Sequence, residues 1–311
     1  MSNRLCAALV AVVLVMPLPV WAQSGTDAAP LRTPDGQPDI SGVFTFRTLT
    51  PLQRPEALEG QATLSAEDAA AFAASERRRL NRDTFDPESG APSAGYQSRA
   101  EGGVLSYNEF WYERGIELTS DKRTSLVVDP PDGRIPYTPE FAEANRLRRL
   151  NLRNGFADHY TDRSLTDRCL MGSNSGPPMR PGSYNNNLQI LQIPGYVVLV
   201  NEHIHNTRII PVDGRPHGNV RQWVGDSRGR WDGDTLVIET TRINWPYVDL
   251  GGAPLSEDAR ILERLTLSDD QSRLDYHMTI IDPAYLTEPA TLDRYWLALG
   301  LEVQHYECVV E

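Results

Sequence analysis

Ionisable side chains crowd the end of one apolar run. Tyr196-Val-Val-Leu-Val leads into Asn201, Glu202, His203, Ile204 and His205, and Arg208 follows shortly after. Histidine titrates near neutral pH and burial raises a carboxylate's pKa, so Glu202 and His205 are candidates for general acid–base catalysis. Arg208 is a candidate for binding a substrate carboxylate or an oxyanion. An ion pair with Glu202 or Glu239 is the other reading of Arg208. In a regular strand His203 and His205, two residues apart, share one face. That is a two-nitrogen start for zinc or iron, needing a third ligand such as His217, His277 or Glu239. The expectation is no metal and no cofactor, with His203, His205 and His217 as the metal alternative.

Other chemistries lack their residues. Gly172-Ser-Asn-Ser-Gly176 does not have the spacing of a nucleophile elbow. There is no phosphate loop, no dinucleotide fingerprint, no His-Glu-x-x-His and no Cys-x-x-Cys. Lys122 is the only lysine and sits in a polar turn beside Asp121, which argues against a Schiff base. The net charge of −12 argues against nucleic acid or an anionic membrane as partner, because both need a basic face.

The segments that must position these groups are β-like. Leu188 to Ile193, Tyr196 to Val200 and Thr207 to Pro211 are separated by short polar signals, Pro194-Gly195 among them. Gly225 to Asp234 reads as a strand and a hairpin turn at Asp232-Gly233, ahead of Thr235 to Thr241. Ile261–Leu267 and Arg273–Ile281 flank a turn at Asp269-Asp270, and strands at Thr291–Leu299 and Val303–Cys308 complete the set. Glu239, Thr241, Glu263 and Tyr276 alternate along these strands with Leu236, Ile238, Leu262 and Leu274. Arg208, Glu239, Glu263 and Tyr276 are therefore the substrate-binding candidates if their face is the inner one. Carboxylates on an inner face need partners or a polar ligand. On an outer face they are solvated residues, and the sequence leaves both readings open.

The N-terminal half is less regular. Ser65 with Glu67 and Asp68 opens a helix running to about Arg82. Asn108–Glu113 is a strand candidate, and Thr124–Asp129 and Arg134–Tyr137 flank Pro130-Pro-Asp-Gly133 like a hairpin. A second helix starts near Pro139 and carries Arg146, Arg148, Arg149 and Arg153, read as a solvated face. The fold class expected is mainly β: an antiparallel β-barrel with two helices in the N-terminal half.

Residues 1–22 read as an export signal, with Arg4, an apolar stretch and a small-residue cleavage site, and residues 23–38 as a flexible arm. The apolar stretch, broken by Pro17 and Pro19, is too short to span a bilayer, so no membrane anchor is expected. Residues 39–311 form one barrel domain with helical and loop insertions at 63–103 and 139–187. The expected location is periplasmic or extracellular. Of the three cysteines, Cys6 leaves with the signal. Cys169 and Cys308 then read as a disulfide, with two buried thiols as the other reading.

Several stretches resemble a family of uncharacterised exported bacterial proteins. They are Pro34-Asp-Gly-Gln-Pro-Asp-Ile-Ser-Gly-Val43, Asp167-Arg-Cys-Leu170, Tyr184-Asn-Asn-Asn187, Ile209 to His217, Gly225 to Thr241, Leu262-Glu-Arg264, Ile281-Asp-Pro283 and Tyr306-Glu-Cys308. The resemblance implies a lipocalin-type barrel. Glu202, His205, Arg208 and His217 fit its pattern, whereas His203 is particular to this chain. Three functional readings follow: a metal-free lyase, isomerase or hydrolase acting on a polar or aromatic small molecule, a non-catalytic lipocalin-type binding protein, and a structural protein with a filled barrel. A metal-dependent enzyme using the His-x-His pair is a further alternative.

Overall fold

The computed structural model describes residues 31–81, 85–86, 91–92, 109–154, 159–160, 165–172, 174–177, 179–244, 255–303 and 306–308. The expected signal segment and the first half of the expected arm, 23–30, lie outside these residues. The strands are β1 (Gly42–Thr45), β2 (Phe85–Asp86), β3 (Ala91–Pro92), β4 (Val127–Asp129), β5 (Asn187–Ile193), β6 (Tyr196–Asn201), β7 (Thr207–Pro211), β8 (Asp226–Asp232), β9 (Thr235–Thr241), β10 (Arg260–Leu267), β11 (Arg273–Ile281) and β12 (Ala290–Leu299). The helices are α1 (Ala66–Leu80) and α2 (Pro139–Asn154).

Nine strands follow one path, β7-β6-β5-β1-β12-β11-β10-β9-β8, each antiparallel to the next. The path curls until β7 and β8 lie side by side, so the barrel is nearly closed. Eight antiparallel steps along nine strands leave the two end strands running the same way. No ladder is registered between β7 and β8, and side chains close the seam. Gly229 in β8 makes this approach possible: a Cβ there would come within 2.8 Å of Val212 and 3.0 Å of Ile210.

Residue parity sets which face is inside. β6, β9 and β11 alternate strictly between buried and half-exposed positions. The buried set includes Leu188, Ile190, Leu199, Ile210, Ile238, Ile261, Leu265 and Met278, which fill the barrel as one core. The turns fall where the sequence signals them: Gly195 and Gly233 have φ of +80° and +61°, a region glycine enters without steric cost. Ser65 caps α1 by accepting the Asp68 N–H at 3.1 Å, and the helix packs through Ala69 and Ala73.

Three expected strands are corrected. Glu109–Trp111 is a short 3-10 turn, and it leaves Phe110 82% exposed and Trp111 60% exposed. Pro130-Pro-Asp-Gly133 does turn, but residues 134–137 do not pair with β4. Instead β4 pairs with β12, and Tyr137 bridges Leu286. Pro130, Pro131 and Pro136 lack the donors that a hairpin ladder there would need. Among the described residues of 303–308 there is no strand; the tail crosses to the 203–205 turn, where Cys308 bonds to Cys169. Arg146 of α2 pairs with Glu143 on an exposed face. The side chains of Arg148, Arg149 and Arg153 lie outside the described set. No helix among the described residues is long and apolar enough to cross a membrane.

Candidate functional site

Glu202, His205 and Arg208 do not converge. β6 ends at Asn201, and the chain reverses through a 3-10 turn at His203–His205 rather than continuing as a strand. Ile204 and His205 have φ of 58° and 50°, in the left-handed region that a β-branched residue such as Ile204 rarely occupies. The reversal breaks the period-two alternation, so His203 and His205 share no face. This corrects the strand geometry on which the His-x-His pair rested.

Arg208 resumes the alternation on β7 and points into the barrel beside Ile210. Its guanidinium grips Glu263 with two bonds, Nη1 to Oε1 at 3.0 Å and Nη2 to Oε2 at 2.5 Å. Nη2 also reaches Ser227 and Thr240 at 3.2 Å, which ties β7 to β8 across the seam. The Tyr276 hydroxyl donates to Glu263 Oε1 at 2.6 Å, and its ring stacks on Trp296 at 4.6 Å. Burial opposes the charge on Arg208, but the Glu263 carboxylate outweighs it and raises the pKa. Burial, reinforced by Glu263, pushes the Tyr276 hydroxyl well above its usual range. The face holding Glu263 and Tyr276 is therefore inside, and these groups satisfy one another. Glu239 lies on the opposite face, paired with exposed Arg260 at 3.2 Å.

The histidines have three different settings. His203 is 1% exposed, with Nδ1 3.1 Å from Asn174 Oδ1, and its ring meets the edges or faces of Tyr184 and Tyr306. Burial lowers its pKa to about 4. Gly172 presses against it: a Cβ there would stand 2.7 Å from the imidazole. His205 is exposed, and its Nε2 accepts the Tyr306 N–H at 3.0 Å. His217 contacts Asp226 at 3.1 Å and lies 3.9 Å from Glu239. No group of three or more histidine, cysteine or acidic side chains able to hold a metal occurs among the described residues.

Two cavities flank the barrel. The first, about 540 Å³, is walled by Phe110, Trp111, Tyr184 and Tyr306 and contains Glu202, Asn187, Glu113 and Glu302. Glu202 is 3% exposed and accepts a bond from Asn187 Nδ2 at 2.9 Å. Among the described residues, no lysine, arginine or histidine lines this cleft. The second, about 650 Å³, lies between β1, β12, the end of α1 and the 109–119 segment, and Arg294 lines it. Neither is lined by Arg208, Glu263, Tyr276 or His205. Arg294 stands outside every motif. Its signal is parity alone, since Leu292-x-Arg294-x-Trp296 puts an arginine on an otherwise apolar face. The aromatic walls come from distant loops and have no sequence pattern. No known family model matches the chain, and no curated protein matches it.

Proposed function

We propose that this protein is an exported β-barrel that binds a small molecule in the Glu202 cleft without transforming it. One observation carries the reading: a buried carboxylate sits in a 540 Å³ cleft whose walls are aromatic and whose charged groups, among the described residues, are all acidic. Clefts of this size take drug-sized ligands, and a few placed polar groups among aromatic rings fix their orientation. The pattern favours an organic cation, for which ring faces and a carboxylate are complementary. Acid–base chemistry is less well supported, because exposed His205 does not line the cleft. Export is supported by the signal-like residues 1–22, by the family resemblance and by the Cys169–Cys308 disulfide, which is compatible with an oxidising compartment.

The test is calorimetric titration with benzyltrimethylammonium and choline beside their neutral isosteres. Wild type is expected to bind a cation at least about ten-fold more tightly than its isostere, and Glu202→Gln to lose that preference, a change of about 1.4 kcal/mol. Equal binding of cation and isostere, or an unchanged preference in Glu202→Gln, would sink the reading. The mass of the N-terminal peptide from periplasmic or secreted material tests export, with cleavage after Ala22 expected.

A further inference from the structure

We infer that the second cavity is a separate binding site for a small organic carboxylate, anchored by Arg294. The arginine is only 5% exposed, yet no hydrogen-bond acceptor among the described residues reaches it, and its Nη2 is fully buried without a partner. Two other buried arginines have acceptors. Arg54 donates to Thr124 and to the Pro131 carbonyl, and Arg208 holds Glu263. A buried guanidinium without an anion is expensive, so a bound anion is the missing element.

The surroundings fit such a ligand. Arg294 lies over the rings of Tyr276, Phe46 and Trp296, with its guanidinium carbon 5.1, 5.4 and 5.8 Å from their centroids. These rings fix the guanidinium plane but cannot accept two parallel bonds as a carboxylate does. Burial lowers the pKa of Arg294 to about 10; Tyr276 and Glu263 pull it up and the Arg180 cation pushes it down, and the group stays charged at neutral pH. Of the three wall carboxylates, Glu109 is engaged by Arg114 at 2.6 Å and Glu113 by Arg47 at 3.1 Å, while Glu117 is exposed; the wall cation Arg77 donates to the Ile116 carbonyl at 2.7 Å. Leu49, Leu80 and Leu118 give the cavity an apolar side. A single negative charge on an apolar body matches a buried guanidinium that has no acceptor among the described residues and stands beside leucines. A multiply charged phosphate matches it less well.

The experiment is calorimetric titration of the full disulfide-bonded protein with benzoate, phenylacetate and hexanoate, each beside its primary amide, and with inorganic phosphate. At least one carboxylate should bind with a dissociation constant below about 1 mM, and its amide at least about ten-fold more weakly. Arg294→Gln should weaken that carboxylate at least ten-fold. Leu118→Trp, which fills the cavity and leaves every charge in place, should do the same if Arg294→Gln does not fold. Glu202→Gln should leave the affinity unchanged, which separates this site from the aromatic cleft. The proposal fails if no carboxylate binds below about 10 mM, if amide or phosphate binds as well as the carboxylate, or if the folded variants keep wild-type affinity.

Discussion

Arg208 and Arg294 are both arginines on inward-facing positions of one barrel, and both are almost fully buried. Around Arg208 the charge is paired from within: Glu263 takes two bonds, Tyr276 donates to the same carboxylate, and Ser227 and Thr240 accept from Nη2, which leaves only Nε without a partner. Around Arg294 the ring faces of Phe46, Tyr276 and Trp296 replace the carboxylate, and no nitrogen of the guanidinium finds an acceptor among the described residues. His203, packed against Tyr184 and Tyr306, also keeps a buried nitrogen, Nε2, without a hydrogen-bond partner. A polar group that is satisfied from within is architecture. One left open beside a cavity is available to something else.

Breaking the closed centre should have the largest effect. Arg208→Ala strands the Glu263 carboxylate in the core and should cost about 3–5 kcal/mol. Urea denaturation measures this, and pairing the change with Glu263→Leu should recover most of the loss, because the stranded charge is then gone. A loss below 1 kcal/mol in the single variant would mean that the pair does not close the seam.

His203 should make the next largest contribution, through pH. Its folded-state pKa is depressed from 6.5 to about 4. Between these values the unfolded chain binds a proton that the folded chain refuses. The stability associated with neutral His203 is therefore complete above pH 6.5 and is lost as pH falls towards 4, by about 3 kcal/mol. Denaturation series at pH 7 and pH 4 should show a difference that is smaller by that amount in His203→Gln. Equal pH dependence in the two proteins would contradict a buried, neutral imidazole.

The smallest effect belongs to Arg294→Met. No carboxylate is stranded, and the lost ring contacts are offset by removing an unpaired buried charge, so stability should stay within about 1 kcal/mol of wild type. A loss as large as that of Arg208→Ala would show that Arg294 has a structural partner and would erase the contrast.

Much of the barrel was legible because its signals are local. Pro194-Gly195 and Asp232-Gly233 announce turns, and period-two alternation marks the strands between them. Parity also carried more than was taken from it. Ile261-x-Glu263-x-Leu265 and Leu274-x-Tyr276-x-Met278 place Glu263 and Tyr276 among core positions. The proposed acid–base cluster failed at one point, the turn after Asn201, where Ile204 and His205 take left-handed φ that neither residue type signals. The cleft walls could not be read at all. Phe110, Tyr184 and Tyr306 meet only because loops far apart in the chain pack together.

The tail that supplies Tyr306 is held by covalent chemistry. Tyr306 is two residues from Cys308, whose sulfur bonds to Cys169. At 3.3–3.6 Å per residue, that anchor keeps the Tyr306 backbone within about 7 Å of Cys308 even when every weaker contact lets go. Without the bridge, the nearest fixed point is Leu299 at the end of β12, which gives a radius of about 25 Å. The volume open to the ring grows roughly forty-fold, and its effective concentration at the cleft falls by the same factor. Oxidation of two thiols thus sets how often one wall of the cleft is in place, and under the proposed function the affinity of the Glu202 cleft would follow the redox state of its surroundings.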